Sequence, residues 1–310
     1  MGLMQTWCDY KNQRSAHTVV GDLLLLEGLY SPQLNNRRRL FVLLPPSYAA
    51  DAERRYPVVY MHDGQNLFDH WISYAGEWQV DETMAALAVE GIEAIVVGIQ
   101  NMGPRRIDEY SPFRDRRLRK GGRGDWYVTF VADTVKPLID HDFRTRPERE
   151  HTTILGSSMG GLISLYAFFR RPEVFGLAGA MSPSLWFAQE AIFPYLQAAP
   201  FSAGRIYLDI GSYEGLDPHV PPRLSHKPIG RHVTTARRLR DQLAAKGYTP
   251  GRYLRYDEED QAVHHESAWA RRLPGALRWL LAAERRGGPG RALGGGGGGA
   301  RAQPEQWWEF

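Results

Sequence analysis

The sequence predicts an α/β protein with a mostly parallel central sheet, helices on both faces and an antiparallel N-terminal edge. Short apolar runs alternate with segments whose apolar residues recur at helical spacing, which is typical of alternating strands and helices. The runs before Tyr56 have no helix between them, and this indicates antiparallel pairing at that edge. With 310 residues, 43% of them hydrophobic, the chain can form a sizeable core.

The predicted strands are short, continuous apolar runs. Runs of this length without polar alternation are typical of strands that are covered on both faces. In chain order they are residues 39–45, 56–61, 94–99, 152–155, 176–181, 205–210 and 252–256.

The predicted helices lie between or after these strands, at residues 78–91, 125–143, 231–247 and 267–286. The first has acidic residues near its start and ends at Gly91, and the third ends at Gly247. Both features are ordinary signals of helix ends. Pro274 is expected to kink or split the last helix, because a proline inside a helix removes one hydrogen bond.

Composition argues against several classes of protein. A formal net charge of +3 is too small to indicate nucleic-acid binding, and no stretch approaches the ~18 apolar residues of a membrane span. The N-terminal segment lacks the apolar core of a secretory signal, and the single cysteine, Cys8, fits a reducing compartment. We therefore expect a cytoplasmic location. No metal or cofactor is expected, since neither H-E-x-x-H nor a paired-cysteine motif occurs.

The stretch GSSMG at residues 156–160 predicts a nucleophilic serine. The pattern G-x-S-x-G is typical of a sharp strand-to-helix turn, which needs small residues two positions before and after the serine. This frame selects Ser158, because centring on Ser157 would put Leu155 and Met159 at the glycine positions. A predicted strand precedes the stretch and a helical pattern follows it, which is the expected setting.

A base for this serine is expected later in the chain, since proteins with this turn order their residues as serine, acid and histidine. That order excludes five of the ten histidines as the base, because they precede Ser158 in the chain. Among the others, His264 and His265 alone follow a predicted strand by a short loop and precede a predicted helix. Either residue is a candidate base.

The acid is expected in the loop after the predicted strand at residues 205–210. This loop offers Glu214 and Asp217, and Glu214 is favoured because it lies nearer the strand end. The acid would hold the imidazole in one tautomer and stabilise its charged form.

Two backbone N–H groups are expected to bind the oxyanion. One belongs to Met159, the residue after the serine. The other is predicted in the loop after the second strand, where Gly64 lets the backbone bend close and Gln65 would donate. His62 and Asp63 are interpreted as residues that order this loop.

These pieces together resemble the Putative esterase family of the α/β-hydrolases, which includes enterochelin esterases, S-formylglutathione hydrolase, feruloyl esterases and mycolyltransferases. The matching stretches, within residues 36–283, are YMHDGQNLFD, GSSMGG, DIGSYEG and HHESAWARRLPGALRWLL. The family's histidine stands five residues before a tryptophan, so the resemblance implies that His264 is the base, with Trp269 as that tryptophan. It also implies Glu214 as the acid and Gln65 as the second oxyanion donor.

The resemblance implies a serine carboxylesterase that hydrolyses a small-molecule ester through an acyl-enzyme. Two alternatives stay open, namely acyl transfer to an alcohol or sugar and a non-catalytic binding protein with a degenerate hydrolase fold. Siderophore trilactones, hydroxycinnamoyl esters and short aliphatic esters are all compatible substrates. The expected domains are an N-terminal extension with edge strands (1–35), an α/β-hydrolase catalytic domain (36–286) and a flexible glycine-rich tail (287–310).

The substrate pocket has only loose sequence signals. Trp78, Tyr110 and Trp186 are the candidate lining residues, because large aromatic side chains often line such pockets. The segment 105–125 carries eight Arg or Lys residues against four acids and is interpreted either as a solvated loop or as the rim of the pocket. Its interleaved acids argue against nucleic-acid binding.

Overall fold

The structure is a computed structural model that describes residues 6–215 and 230–282. Asp217, the alternative acid, and the predicted tail at residues 287–310 lie outside the described residues.

The strands are β1 (Cys8–Asp9), β2 (Asp22–Ser31), β3 (Asn36–Leu44), β4 (Val58–His62), β5 (Ile95–Ile99), β6 (Arg114–Asp115), β7 (Lys120–Gly121), β8 (Thr152–Ser157), β9 (Leu177–Met181), β10 (Arg205–Gly211) and β11 (Leu254–Glu259). The helices are α1 (Val80–Val89), α2 (Arg106–Glu109), α3 (Gly124–Phe130), α4 (Lys136–Asp142), α5 (Met159–Arg170), α6 (Phe187–Glu190), α7 (Ile192–Ala198), α8 (Arg231–Ala245) and α9 (Glu266–Leu281).

Across the described residues, nine strands form one sheet in the order β1-β2-β3-β5-β4-β8-β9-β10-β11, and β6 pairs with β7 apart from it. Neighbouring strands are parallel along the part of the sheet ordered β5-β4-β8-β9-β10-β11. They are antiparallel along the part ordered β1-β2-β3-β5. The predicted fold class is therefore confirmed, including the antiparallel N-terminal edge.

The core divides into two layers, one on each face of the sheet. Alternate strand residues enter different layers: Val58 and Tyr60 pack on one side, and Val59 and Met61 on the other. Helices α3, α4, α5 and α8 cover the first side, and α1 and α9 cover the second. Because the strands are apolar on both faces, they read in the sequence as continuous apolar runs.

Two predicted helices differ in detail from expectation. The predicted helix at 125–143 is helical up to Asp142 but contains a wide π turn at Val131–Val135, just before Pro137. A proline has no N–H to donate, and a change of hydrogen-bond register accommodates that loss. The expected split at Pro274 does not occur, since α9 runs through it while Leu273 and Leu277 stay fully buried.

None of the described helices combines the length and the apolar character needed to cross a lipid bilayer.

Candidate active site

Ser158 lies at the sharp turn between β8 and α5. Its backbone has φ 57° and ψ −122°, a conformation that side-chain-bearing residues rarely adopt and that occurs at functional turns. Its N–H donates to the carbonyl of Met181 at 3.0 Å, which fixes the turn to the end of β9. A Cβ on Gly156 would lie 2.7 Å from the His62 ring, so this position needs glycine, as the sequence pattern implies.

A continuous row of hydrogen bonds joins three of the predicted site residues. His264 Nε2 lies 2.9 Å from Ser158 Oγ, and His264 Nδ1 lies 2.7 Å from Glu214 Oε2. Glu214 follows β10 and His264 follows β11, while Ser158 follows β8. Ligands of parallel α/β sheets bind at the carboxyl ends of the strands, and all three side chains meet there.

The Glu214 carboxylate is buried, with 1% of the residue exposed. Burial alone would raise its pKa, but hydrogen bonding and charge from His264, together with donors from Ser182 and the Gly211 N–H, outweigh it. The pKa of Glu214 is therefore held below its usual value. An ionised carboxylate accepts a hydrogen bond from Nδ1–H, and in the neutral tautomer this leaves Nε2 of His264 as the acceptor that faces Ser158.

A buried polar cluster that the sequence did not reveal holds the other oxygen of Glu214. Ser182 Oγ donates to Glu214 Oε1 at 2.5 Å and accepts from Trp269 Nε1 at 3.0 Å and from Arg272 Nη2 at 2.7 Å. Arg272 also pairs with Asp209 at 2.9 Å. Trp269 and Arg272 are three residues apart on α9 and so share one helix face. This spacing is the signal in the sequence from which their joint position could have been predicted. No sequence pattern around Ser182 indicates its contact with Glu214.

The two adjacent histidines take different positions. His265 is the N-cap of α9, where its side chain accepts from the Ser267 N–H at 3.2 Å. The His264 ring instead meets Trp269 edge-on, with ring centroids 5.0 Å apart. The structure therefore brings His264, and not His265, to Ser158.

His62 is buried beneath the turn and hydrogen-bonds to Tyr127 Oη at 2.8 Å and to Ser164 Oγ at 3.0 Å. Burial lowers the pKa of His62 to about 3, so its ring is neutral. Asp63, in the left-handed conformation with φ 58°, accepts two hydrogen bonds from Arg106, at 2.7 and 2.8 Å. Burial would raise the pKa of Asp63, but the charge and hydrogen bonds of Arg106 keep it low.

The two candidate oxyanion donors lie after different strands of the sheet. Met159 is the first residue of α5, and Gln65 belongs to the 3₁₀ turn Gly64–Asn66 after β4. A Cβ on Gly64 would lie 2.6 Å from the backbone carbon of Gly98 on β5, so only glycine allows this close approach. The turn thereby holds Gln65 at the wall of the cleft that also contains Ser158.

This cleft has a volume of about 1060 Å³. Apolar and polar side chains share its wall, among them Ile72, Trp78, Asn101, Arg106, Glu266 and Trp269. Of the predicted pocket residues, Trp78 lines the cleft. Tyr110 is buried outside it, where its hydroxyl accepts from the Asp63 N–H, and the half-exposed Trp186 packs on Phe187. The start of the basic segment 105–125 reaches the cleft through Arg106.

Within the described ranges, one group of acids could hold a metal ion: the ligand oxygens of Glu77, Asp81 and Glu82 lie within 4.8 Å of one another. Asp81 Oδ2 accepts from the Val20 N–H at 2.6 Å, while its Oδ1 is buried without a donor. Burial raises the pKa of Asp81 to about 8, helped by Glu82 and only partly opposed by Val20. In the absence of a cation, the folded protein therefore favours a protonated Asp81.

Asp81→Asn is expected to make stability less dependent on pH between about 4 and 8. The folded protein keeps a proton on Asp81 up to about pH 8, whereas the unfolded chain releases it near its ordinary pKa. Stability therefore falls as pH rises through this window, by up to about 1.4 kcal/mol per pH unit. The asparagine carbonyl still accepts from Val20 but cannot titrate.

The measurement is urea unfolding at about pH 5, 6.5 and 8, with m-values compared at each pH. Asp22→Asn, at an exposed position on β2, is the matched control. Equal pH slopes for the wild type and Asp81→Asn would contradict the prediction.

The mostly parallel sheet, the strand–serine–helix turn and the cleft above it define an α/β-hydrolase. The chain belongs to the family described as "Putative esterase", whose model matches residues 31–280, and it is a carboxylic ester hydrolase.

Two curated relatives and one solved structure are similar to this chain. The chain is 29% identical to the uncharacterized protein YbbA of Bacillus subtilis over 266 residues, which is 84% of this chain and 99% of that protein. It is also 29% identical to the iron(III) salmochelin esterase of Escherichia coli over 192 residues, 56% of this chain and 43% of that protein. The BES protein of Bacillus cereus has the same fold, with a TM-score of 0.65 at 20% identity, covering 87% of this chain and 98% of that one.

Proposed function

We propose that Ser158, His264 and Glu214 act as a catalytic triad that hydrolyses a carboxylic ester through an acyl-enzyme. The observation that carries the proposal is the unbroken row of hydrogen bonds from Ser158 Oγ through both ring nitrogens of His264 to the buried Glu214. Serine, base and orienting acid in hydrogen-bond reach of one another are the recognised arrangement for nucleophilic catalysis.

In the first half of the reaction, His264 Nε2 takes the proton of Ser158 as Oγ bonds to the ester carbon, and the carbonyl electrons move onto oxygen. The N–H groups of Gln65 and Met159 bind this oxyanion. The intermediate collapses, the C–O bond to the alcohol breaks, and the alcohol oxygen takes the proton from His264. Glu214 stabilises the imidazolium that forms between these two transfers.

In the second half, water gives a proton to His264 and attacks the acyl carbon. The new intermediate expels Ser158 Oγ, which takes the proton back from His264, and the acid is released. The water-accessible cleft and the half-exposed His264 ring, 37% accessible, are compatible with entry of this water. No metal or cofactor takes part in the proposed steps.

We infer that the substrate is a bulky ester with polar groups. The cleft of about 1060 Å³ exceeds what a short aliphatic ester needs, and its wall combines Trp78 and Trp269 with Gln65, Asn101 and Arg106. Its size suits ligands that use aromatic contacts and a few oriented polar groups. The salmochelin esterase among the relatives favours a siderophore-type ester within this class.

The test is labelling by a fluorophosphonate probe, followed by peptide mass analysis. We expect one probe per chain on Ser158, labelling of Ser157→Ala and no labelling of Ser158→Ala. Absence of labelling in the wild type would instead support a non-catalytic binding protein. Turnover of aliphatic, feruloyl and trilactone esters, with and without an added alcohol, then separates hydrolysis from acyl transfer and ranks the substrates.

A further inference from the structure

A second serine hydroxyl contacts the oxygen that the proposed mechanism uses as nucleophile. Ser184 Oγ lies 3.1 Å from Ser158 Oγ, the same oxygen that lies 2.9 Å from His264 Nε2. In the described part of the chain, Ser184 Oγ has no other hydrogen-bond partner, and only 3% of the residue is exposed. A buried hydroxyl whose one hydrogen-bond partner among the described residues is the reacting oxygen calls for an explanation.

Backbone hydrogen bonds hold Ser184 against the serine turn. Its N–H donates to the Ser158 carbonyl at 3.0 Å, and the Ser158 N–H donates to Met181 at 3.0 Å. The chain that leaves β9 is therefore fixed to the turn on both sides of the nucleophile. Because β8 and β9 are neighbours in the sheet, this contact follows from the topology.

The direction of the hydrogen bond follows from counting protons. When the imidazole acts as the base it is neutral, and its Nδ1–H donates a hydrogen bond to the Glu214 carboxylate, so Nε2 bears no hydrogen and accepts a hydrogen bond. Ser158 uses its only proton for that bond. The proton between the two serines therefore belongs to Ser184, which donates to Ser158 Oγ.

We propose that Ser184 is a further catalytic residue, a hydrogen-bond donor that stabilises Ser158 Oγ when this oxygen carries developing negative charge. This inference rests on the proposed function of Ser158. Charge develops on Oγ as it attacks the ester, and again when it leaves the tetrahedral intermediate during deacylation. Hydrogen bonds to charged oxygens are stronger than those to neutral ones, so the donor favours both transition states.

The two half-reactions do not benefit equally. Before acylation, Ser184 already donates to a neutral hydroxyl, so part of the interaction exists in the ground state. In the acyl-enzyme, Ser158 Oγ is the bridging oxygen of an ester and a poorer acceptor. The hydrogen bond from Ser184 therefore strengthens more between ground state and transition state in deacylation than in acylation.

The experiment uses Ser184→Ala in the full-length protein, with p-nitrophenyl acetate as substrate and quenched-flow mass analysis of the acyl-enzyme. Active sites are titrated with the fluorophosphonate probe, so that rate constants refer to folded enzyme only. We expect deacylation to slow about 10-fold and acylation about 3-fold or less, as one charge-assisted hydrogen bond implies. KM for acylation should stay within about twofold.

The matched control is Ser31→Ala, which removes a buried, hydrogen-bonded serine hydroxyl at the end of β2, far along the sheet order from β8. It should leave both rate constants unchanged. Deacylation as fast in Ser184→Ala as in this control, or acylation slowed more than deacylation, overturns the inference. If the wild type itself forms no acyl-enzyme on Ser158, the proposed function fails instead, so the two failures are distinct.

Discussion

Ser158→Ala is expected to lower kcat for ester hydrolysis by about 10⁴- to 10⁶-fold, because removal of the nucleophile leaves only binding and the oxyanion donors to assist water. Substrate affinity should change little, since the missing oxygen contributes more to the transition state than to the bound ester. The measurement is steady-state hydrolysis of p-nitrophenyl esters by variants whose circular dichroism and Tm match those of the wild type.

Ser157→Ala is the matched control, one residue away in the same turn. Ser157 is the last residue of β8, and its backbone pairs with Met181. We expect this variant to keep most of the activity, within about fivefold, since no reacting atom is lost. The reverse result, with Ser157→Ala inactive and Ser158→Ala active, would contradict the glycine frame from which Ser158 was chosen.

The fold could be predicted from the sequence to a large extent, because its strands are buried on both faces. Residues 94–99, for example, form a continuous apolar run, which predicts a strand buried on both faces. Strand β5 occupies nearly the same residues. The N-terminal edge was predicted only as a region. Strand β2 has a mixed pattern of buried and exposed residues, with a register shift between Leu26 and Leu29, so its ends are poorly marked in the sequence.

The candidate site could be predicted where a local rule applies. The glycine spacing is local and singles out Ser158, and strand order then places the acid and the base near it. The sequence did not predict the roles of Ser182, Ser184 and Arg272. Their contacts with the site depend on how β9 and α9 pack beside it, and no local sequence pattern encodes that packing. Pocket residues are equally hard to predict: Trp78 and Tyr110 are both large buried aromatics, and loop paths alone bring the first to the cleft.

His264→Ala is expected to lower kcat by about 10⁴- to 10⁶-fold, similar to loss of the nucleophile, because the two residues act as a unit. Without His264, nothing accepts the proton of Ser158, and the Glu214 carboxylate is left without its imidazole partner. Hydrolysis of p-nitrophenyl esters and the rate of fluorophosphonate labelling should fall together, since both depend on the same proton transfer.

His265→Ala separates catalysis from helix capping at the neighbouring position. This variant loses the acceptor of the Ser267 N–H, and we expect it to destabilise the protein by about 1 kcal/mol while keeping most of its kcat. His265→Asn restores a capping acceptor and should recover that stability. If His264→Ala and His265→Ala lose activity equally, the assignment of the base to His264 is wrong; if only the stability of His265→Ala changes, each histidine has one distinct task.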